Sequence, residues 1–148
     1  MKKKSIQIVL ALLIASGLFF GLKPIIFPTH VGSKSIELIL TVDSQEGDDL
    51  VVLDKSYRTD ALTLADLLDE VTKEENITLQ LAGSKTDSFG RYIVGIGQYI
   101  TTDSANGPWW LINSETNQDC VSAGFCNGVD LQSINDQDIF TLTFTSSY

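Results

Sequence analysis

The sequence predicts a small α+β domain, in which one helix packs across a mixed β-sheet, behind an N-terminal apolar segment. Three observations predict this organisation. Apolar and polar residues alternate in several short stretches after residue 34, as in strands with one buried face. Residues 63–75 instead repeat their apolar side chains every three or four positions, as in an amphipathic helix. Residues 6–22 are apolar and uncharged, which separates them from the rest of the chain.

Basic and acidic residues are unevenly distributed along the chain. Residues 1–34 contain five lysines and no acid, whereas residues 35–148 contain five basic and nineteen acidic residues. The acidic part is long enough for one domain and too short for two, which excludes a large two-domain enzyme. Its negative charge repels phosphate backbones, so we expect no nucleic-acid partner. A hydrophobic content of 43% excludes a disordered chain.

The N-terminal segment indicates export or membrane anchoring. Three lysines at residues 2–4 precede the apolar run, and Lys23 closes it. The run spans roughly 25 Å as a helix, slightly less than a bilayer core. We expect residues 1–23 to be an uncleaved, single-pass anchor through residues 6–22, with the acidic domain outside the cell. Cleavage near residues 15–17, which would release a secreted protein, and a buried core hairpin are the alternatives.

Residues 24–34 predict a stalk between the anchor and the domain. Pro24 and Pro28 interrupt regular structure there, and His30, the only histidine, lies between them and the domain. Catalytic arrangements of serine or cysteine with histidine need an imidazole inside the folded domain. We therefore expect no enzyme. No cysteine precedes Cys120, which excludes a lipid anchor on an N-terminal cysteine.

The domain, residues 35–148, begins with a predicted hairpin and a helix. Apolar side chains alternate from Ile36 to Val42, and residues 50–53 resume an apolar run after a polar turn. Thr63 begins the helix with a capping-box spacing, and the apolar stripe continues to Val71. The opposite face is either an acidic docking surface or a solvated surface. Its acidic residues are Asp66, Asp69, Glu70, Glu74 and Glu75.

Four further strands are predicted after the helix. Asn76 can end the helix in the left-handed conformation. The strands then follow, and the last one places apolar residues on one face and threonines on the other. The order β-β-α-β-β-β-β indicates a β-grasp-like mixed sheet. The four predicted strands cover residues 77–81, 92–96, 109–112 and 140–145.

Three short motifs have competing interpretations. Gly95 and Gly97 resemble the start of a dinucleotide loop, but the third glycine and the following helix are missing. The acids Asp130, Asp136 and Asp138 are candidate calcium ligands, but they lack the spacing of the known calcium loop. We expect a polar turn there. Residues 76–78 match a glycosylation acceptor and are expected to be only a helix end and a strand start.

Cys120 and Cys126 predict a disulfide. Both lie in the domain that we expect outside the cell, where oxidising conditions favour the bond. Zinc binding needs further cysteine or histidine ligands, which the domain lacks, and redox pairs more often have two intervening residues. We therefore expect a structural bond and predict no metal site and no cofactor.

Three segments carry a resemblance to a known family. They are Gly90 to Ile96, Trp109 to Asn113, and Gly128 to Asp130 with the acidic turn at residues 136–138. In this order they resemble the transcobalamin-like C-terminal domain family, over most of residues 35–148. The resemblance implies a secreted or anchored bacterial surface module, similar to the small β-domain of the vitamin B12 carriers. This chain differs in the loop that follows the second segment and at Gln137, where the family has glycine.

Two functional hypotheses follow. The first is a binding domain that captures a small extracellular ligand, which the resemblance suggests to be cobalamin or a similar tetrapyrrole, for a membrane transporter. The second is a cell-surface module that binds another protein through a sheet edge or the cysteine loop. Trp109 and Trp110 are adjacent in a predicted strand, so at most one of them lies in the core. The candidate ligand-binding residues are Tyr92, Tyr99, Trp109, Trp110 and Asn113.

Overall fold

The computed structural model describes residues 32–44 and 47–147. The strands are β1 (Lys34–Val42), β2 (Leu50–Thr59), β3 (Leu79–Ala82), β4 (Tyr92–Ile96), β5 (Tyr99–Ile100), β6 (Trp109–Asn113) and β7 (Ile139–Thr145). The helices are α1 (Leu64–Glu74) and α2 (Gln118–Ala123).

A four-stranded main sheet has the order β2-β1-β7-β6. Strand β1 is antiparallel to β2 and parallel to β7, so the sheet is mixed. Its inner face is apolar because alternate residues of β1 and β7 point to one side: Ile36, Leu38, Phe140 and Leu142 are all fully buried. A hairpin, a helix and a last strand parallel to the first confirm the predicted α+β class with a mixed sheet. The observed order contains one strand and one helix more than the predicted β-β-α-β-β-β-β.

Helix α1 forms where the sequence predicts it. Thr63 is its N-cap, and the Thr63 hydroxyl accepts a hydrogen bond of 3.3 Å from the amide of Asp66. The apolar stripe from Leu64 to Val71 is buried in the core. Asn76 follows the helix with a φ of 54°, which confirms the predicted left-handed ending.

A second, three-stranded sheet with the order β3-β4-β5 differs from the single sheet that the sequence predicts. Strand β4 pairs with β3 on one side and with the short β5 on the other, so its hydrogen bonds are used away from the main sheet. Ile93 and Ile96 still point into the shared core, where they are 4% and 3% exposed. Strand β5 has only two residues, too few for a sequence pattern.

Helix α2 is also absent from the sequence prediction, which expects only a loop between the cysteines. Asn117 caps its first turn, and Gly124 ends it with a φ of 76°. Six residues are too few for a helical period, so these two capping residues were the available signal. The helix contains Cys120, and the predicted disulfide from Cys120 to Cys126 is present.

The predicted anchor at residues 1–23 and most of the stalk, with His30, lie outside the described residues. None of the helices formed by residues 32–44 and 47–147 is both long and apolar enough to span a membrane.

Candidate functional site

The predicted ligand-binding residues lie in three different concavities of the surface. The first, here called the aromatic cleft, has a volume of about 360 Å³ and contains Tyr92, Trp109 and Trp110. A second, of about 370 Å³, lies between the two sheets and contains Tyr99, with Trp110 again at its wall. The third, of about 550 Å³, lies beside the disulfide and contains Asn113. The structure therefore brings three of the five predicted residues into one cleft.

Strand β6 presents its two tryptophans to opposite faces of the main sheet, as predicted. Trp110 is 7% exposed and packs against Phe144, with ring centroids 5.2 Å apart. Its indole nitrogen donates a hydrogen bond of 3.1 Å to the carbonyl of Tyr99. Trp109 lies on the outer face and is half-buried. Trp109 is thus the tryptophan that a ligand can reach.

The loop before β6 fixes the position of Trp109. The Trp109 indole nitrogen donates a hydrogen bond of 3.1 Å to the carbonyl of Ser104. Its ring covers Gly107, where a Cβ atom would lie 2.7 Å from a ring carbon. Gly107 also has a φ of 76°, so a larger residue there would be strained as well as obstructed. The loop therefore presents the indole in one orientation.

The other walls of the aromatic cleft come from β4 and the segment after β5. Tyr92, at the start of β4, is 56% exposed, so its ring is available to a ligand. Thr101 also lines the cleft. Among the described residues, its hydroxyl oxygen is the buried side-chain polar atom without a hydrogen-bond partner. A cleft with two accessible aromatic rings suits a flat ligand.

Tyr99 and Asn113 do not join the accessible tryptophan. The Tyr99 ring is half-buried and contacts Phe144, with centroids 6.0 Å apart, so much of it belongs to the core. Asn113 is exposed at the end of β6, in the concavity beside Cys120 and Cys126. A single platform of Trp109, Tyr99 and Asn113 is therefore not formed.

A buried polar network holds the disulfide region to the main sheet, and no sequence pattern revealed it. The side-chain amide of Asn117 donates to the carboxylate of Asp138 at 2.5 Å and to the carbonyl of Ser133 at 3.0 Å. The Asn117 side-chain oxygen accepts from Gln132 at 2.8 Å and from the first amides of α2. Asn117 and Gln132 are fully buried. The network therefore positions α2 independently of the disulfide.

The acids considered as calcium ligands interact with the protein instead. Arg91 forms a two-pronged pair with Asp130, at 2.9 and 2.6 Å, and this contact lowers the pKa of the Asp130 carboxyl. The backbone amide of Ser35 donates to Asp136 and lowers its pKa. Residues 136 and 137 form the predicted polar turn. Within residues 32–44 and 47–147, no group of three or more histidine, cysteine or acidic side chains is placed to hold a metal.

The acidic face of α1 is partly neutralised. Lys55 lies 3.1 Å from the carboxylate of Glu74 and 2.5 Å from that of Glu75, and the Lys55 contact lowers the pKa of Glu75. The hydroxyl of Tyr57 donates to Glu75 at 2.9 Å, and burial together with this carboxylate raises the pKa of Tyr57. Asp69 pairs with Lys73 at 2.5 Å. These contacts favour a solvated helix face over an acidic docking surface.

Comparison with known proteins identifies a structural relative. No protein-family model matches the sequence, and no curated protein is significantly similar to it. Among solved structures, the chain is similar to a "putative metal binding protein" from Ruminococcus gnavus, with 23% sequence identity and a TM-score of 0.50. The match covers 78% of this chain and 99% of the other. At this identity the similarity shows a shared fold, and the resemblance to the transcobalamin-like family stays a prediction.

Proposed function

We propose that the chain is a non-enzymatic, extracytoplasmic binding domain, held at the membrane by residues 6–22, that captures a small flat ligand in the aromatic cleft. The observation that carries the proposal is the position of Trp109. Its indole is fixed by Ser104 and Gly107, remains partly exposed, and lies in the same cleft as Tyr92. Rigid, accessible aromatic rings are typical contact residues for planar ligands.

The size of the aromatic cleft bears on the identity of the ligand. Its volume of about 360 Å³ lies at the lower end of the range for small-molecule sites. A corrinoid such as cobalamin is larger, so the cleft would hold one edge of it and a partner, such as a transporter, would cover the rest. The resemblance to the transcobalamin-like family makes cobalamin the first ligand to test. We expect weak binding by the isolated chain.

Metal binding is not part of the proposal, although the structural relative is described as a possible metal binder. The three candidate calcium ligands accept hydrogen bonds from the protein: Asp130 from Arg91, Asp136 from the Ser35 amide and Asp138 from Asn117. No cluster of three ligands lies within residues 32–44 and 47–147. Structural zinc sites need four cysteine, histidine or acidic ligands.

Titration of the full chain in detergent, with corrinoids, haem and flavins, tests the proposal. Both tryptophans of the chain line the aromatic cleft, so binding should quench their fluorescence. Trp109→Ala should cost on the order of 2 kcal/mol of binding, while Trp110 remains as a reporter. Phe125→Ala is the matched control, because Phe125 is an exposed aromatic residue of the disulfide region. Equal loss in both variants, or no quenching by any ligand, would contradict the proposal.

A surface protein-interaction module is the second candidate function. Val121 and Phe125, in the disulfide region, are 52% and 61% exposed. Exposed apolar side chains in a segment closed by a disulfide are suited to contact another protein. Pull-down from cell-surface extracts with wild type and with Phe125→Ser tests this function. Loss of a specific partner in the variant, with ligand quenching absent in both proteins, would favour the second candidate.

A further inference from the structure

Strand β2 is one edge of the main sheet. It is ten residues long and pairs with β1 on one side, and no strand in the described part of the chain pairs with its other side. A long exposed strand edge presents unpaired amide and carbonyl groups and is a template for another strand. We call this side of β2 the outer edge.

The hydrogen bonds of β1 show which of its residues bond to which neighbour. The backbone amides of Glu37 and Asp43 donate, at 3.0 Å each, to the carbonyls of Asp138 and Phe144 on the β7 side. Bonding directions alternate along a strand. Odd-numbered residues of β1 therefore bond towards β7, and even-numbered residues bond towards β2.

The pairing of β1 with β2 then fixes the groups at the outer edge. Leu38 of β1 lies opposite Lys55, so the odd-numbered residues of this part of β2 bond towards β1. The amides and carbonyls of Asp54, Ser56 and Arg58 consequently point to the outer edge. Their side chains are exposed, and neither Asp54 nor Arg58 forms an ion pair within residues 32–44 and 47–147.

The three residues that point to the outer edge, Asp54, Ser56 and Arg58, can pair with the same three residues of a second copy. When β2 pairs antiparallel with β2 of a second copy about a two-fold axis at Ser56, Asp54 lies directly opposite Arg58 of that copy, and the reverse pair forms by symmetry. All three outward residues are then opposite outward residues, so both hydrogen bonds of each pair can form. Opposite charges in such cross-strand pairs are stabilising.

Neighbouring registers juxtapose like charges. An axis at Asp54, Lys55 or Arg58 places that charged residue opposite its own copy, and an axis at Tyr57 places Asp54 opposite Asp60. Axes nearer the start of β2 fall at the irregular register between β1 and β2. Among the axes at residues 54 to 58, only the axis at Ser56 places no like charges opposite each other.

We propose that the outer edge of β2 is a homodimer interface, in which two copies pair antiparallel about Ser56 and join their main sheets into one continuous sheet. On the inner face of this sheet, Lys55 lies opposite Tyr57 of the second copy. The Lys55 ammonium already lies 5.1 Å from the ring centroid of its own Tyr57 and beside Glu74 and Glu75, so its charge stays compensated.

Cysteine cross-linking of the full chain tests the register. In the proposed dimer the two Cα atoms of residue 56 are about 5.5 Å apart, within the range of a disulfide. Ser56→Cys should therefore cross-link with itself under mild oxidation. Asp54→Cys should not, because its two copies are about 14 Å apart, but it should cross-link with Arg58→Cys. Self-linking of Asp54→Cys, or equal linking at positions 54 and 56, would overturn the proposal.

Charge reversal provides an independent test by sedimentation. Asp54→Arg should weaken the dimer about tenfold, because two attractive pairs become repulsive. Adding Arg58→Asp should restore the wild-type association, because opposite charges then face each other again in both cross-strand pairs. Glu115→Arg, an exposed acid remote from β2, is the matched control and should leave association unchanged. A wild-type chain that stays monomeric at high-micromolar concentration, or a double variant without rescue, would overturn the proposal.

Discussion

At the scale of single residues, one backbone conformation is unfavourable for the residue that adopts it. Gln137 lies in the turn before β7 with a φ of 69°, a conformation that costs a residue with a Cβ atom about 1–2 kcal/mol. The backbone amide of Gln137 donates a hydrogen bond of 2.9 Å to the carbonyl of Ser35, and this bond holds the turn to β1. Glycine, the residue that the resemblance leads one to expect here, avoids the conformational cost.

Gln137→Gly should therefore stabilise the protein. The relief of the left-handed conformation exceeds the extra backbone entropy of glycine in the unfolded chain, and we expect a gain of about 0.5–1 kcal/mol in the free energy of unfolding. Urea denaturation measures it. Gln98→Gly is the matched control, because Gln98 is an exposed turn residue without a positive φ, and it should lose stability. Destabilisation in both variants would show that the Gln137 side chain compensates for its backbone.

The ion pair of Arg91 with Asp130 makes a second prediction at this scale. The Asp130 side chain is 9% exposed, and its pKa is lowered chiefly by the hydrogen bonds from Arg91. A carboxyl with a lowered pKa in the folded state stabilises the protein above its unfolded pKa of about 4, and the contribution disappears as pH falls through the folded value. Asp130→Asn should cost about 2 kcal/mol at neutral pH.

The pH dependence distinguishes this pair from simple packing. The stability difference between wild type and Asp130→Asn should shrink as the pH falls from about 4 through the lowered pKa of the folded Asp130 carboxyl, because that carboxyl then becomes neutral, as the asparagine amide is at every pH. Asp48→Asn, at an exposed acid, is the matched control and should change stability by less than about 0.5 kcal/mol at neutral pH. A constant difference for Asp130→Asn across the acid range would contradict the electrostatic explanation.

At the scale of elements, we expect the stability of α2 to depend more on its buried network than on its disulfide. The bond from Cys120 to Cys126 closes a loop with a sequence separation of 6, and such a small loop contributes about 2 kcal/mol through chain entropy. Asn117 both caps α2 and satisfies the buried Gln132 and Asp138. Removing its side chain leaves several buried groups without partners, each costing about 1–3 kcal/mol.

Asn117→Ala should therefore destabilise the protein by about 3 kcal/mol, more than replacing both cysteines with serine. Thermal and urea unfolding of the two variants make the comparison. Asn113→Ala, at an exposed asparagine nearby, should change stability by less than about 0.5 kcal/mol. A larger loss on removing the disulfide would show that the covalent bond, rather than the network, holds α2.

The length of each element decides whether the sequence could predict it. Strands β1 and β7 and helix α1 have patterns of seven or more residues, and all three were predicted close to their actual bounds. Strand β5 and helix α2 have two and six residues, so tertiary contacts rather than a period define them. The grouping of Tyr92 with Trp109 depends on how the two sheets meet, which no local pattern contains.

At the scale of the whole molecule, the distribution of charge divides the chain into two parts. Residues 35–148 carry nineteen acids and five bases, and the described part has its own core between the main sheet, α1 and the second sheet. Residues 1–34 carry five lysines and no acid. Lysines before an apolar run keep that end in the cytoplasm, so the acidic domain is expected on the outer side.

Protease treatment of intact cells tests this topology. Trypsin is a poor choice, because Lys23 precedes Pro24, and Lys34 lies in β1 with its ammonium donating to the carbonyls of Ala61 and Ile134 at 2.7 and 3.1 Å. A protease of broad specificity should instead cut within the stalk and release a folded fragment that begins between residues 24 and 33. Replacing the lysines at residues 2–4 with glutamate should reduce this release, because the charge bias that orients the segment is lost. A domain that resists the protease until the cells are lysed would contradict the external location. Recovery of most of the protein in the medium, with a terminus near Leu18, would instead show that the segment is a cleaved signal peptide.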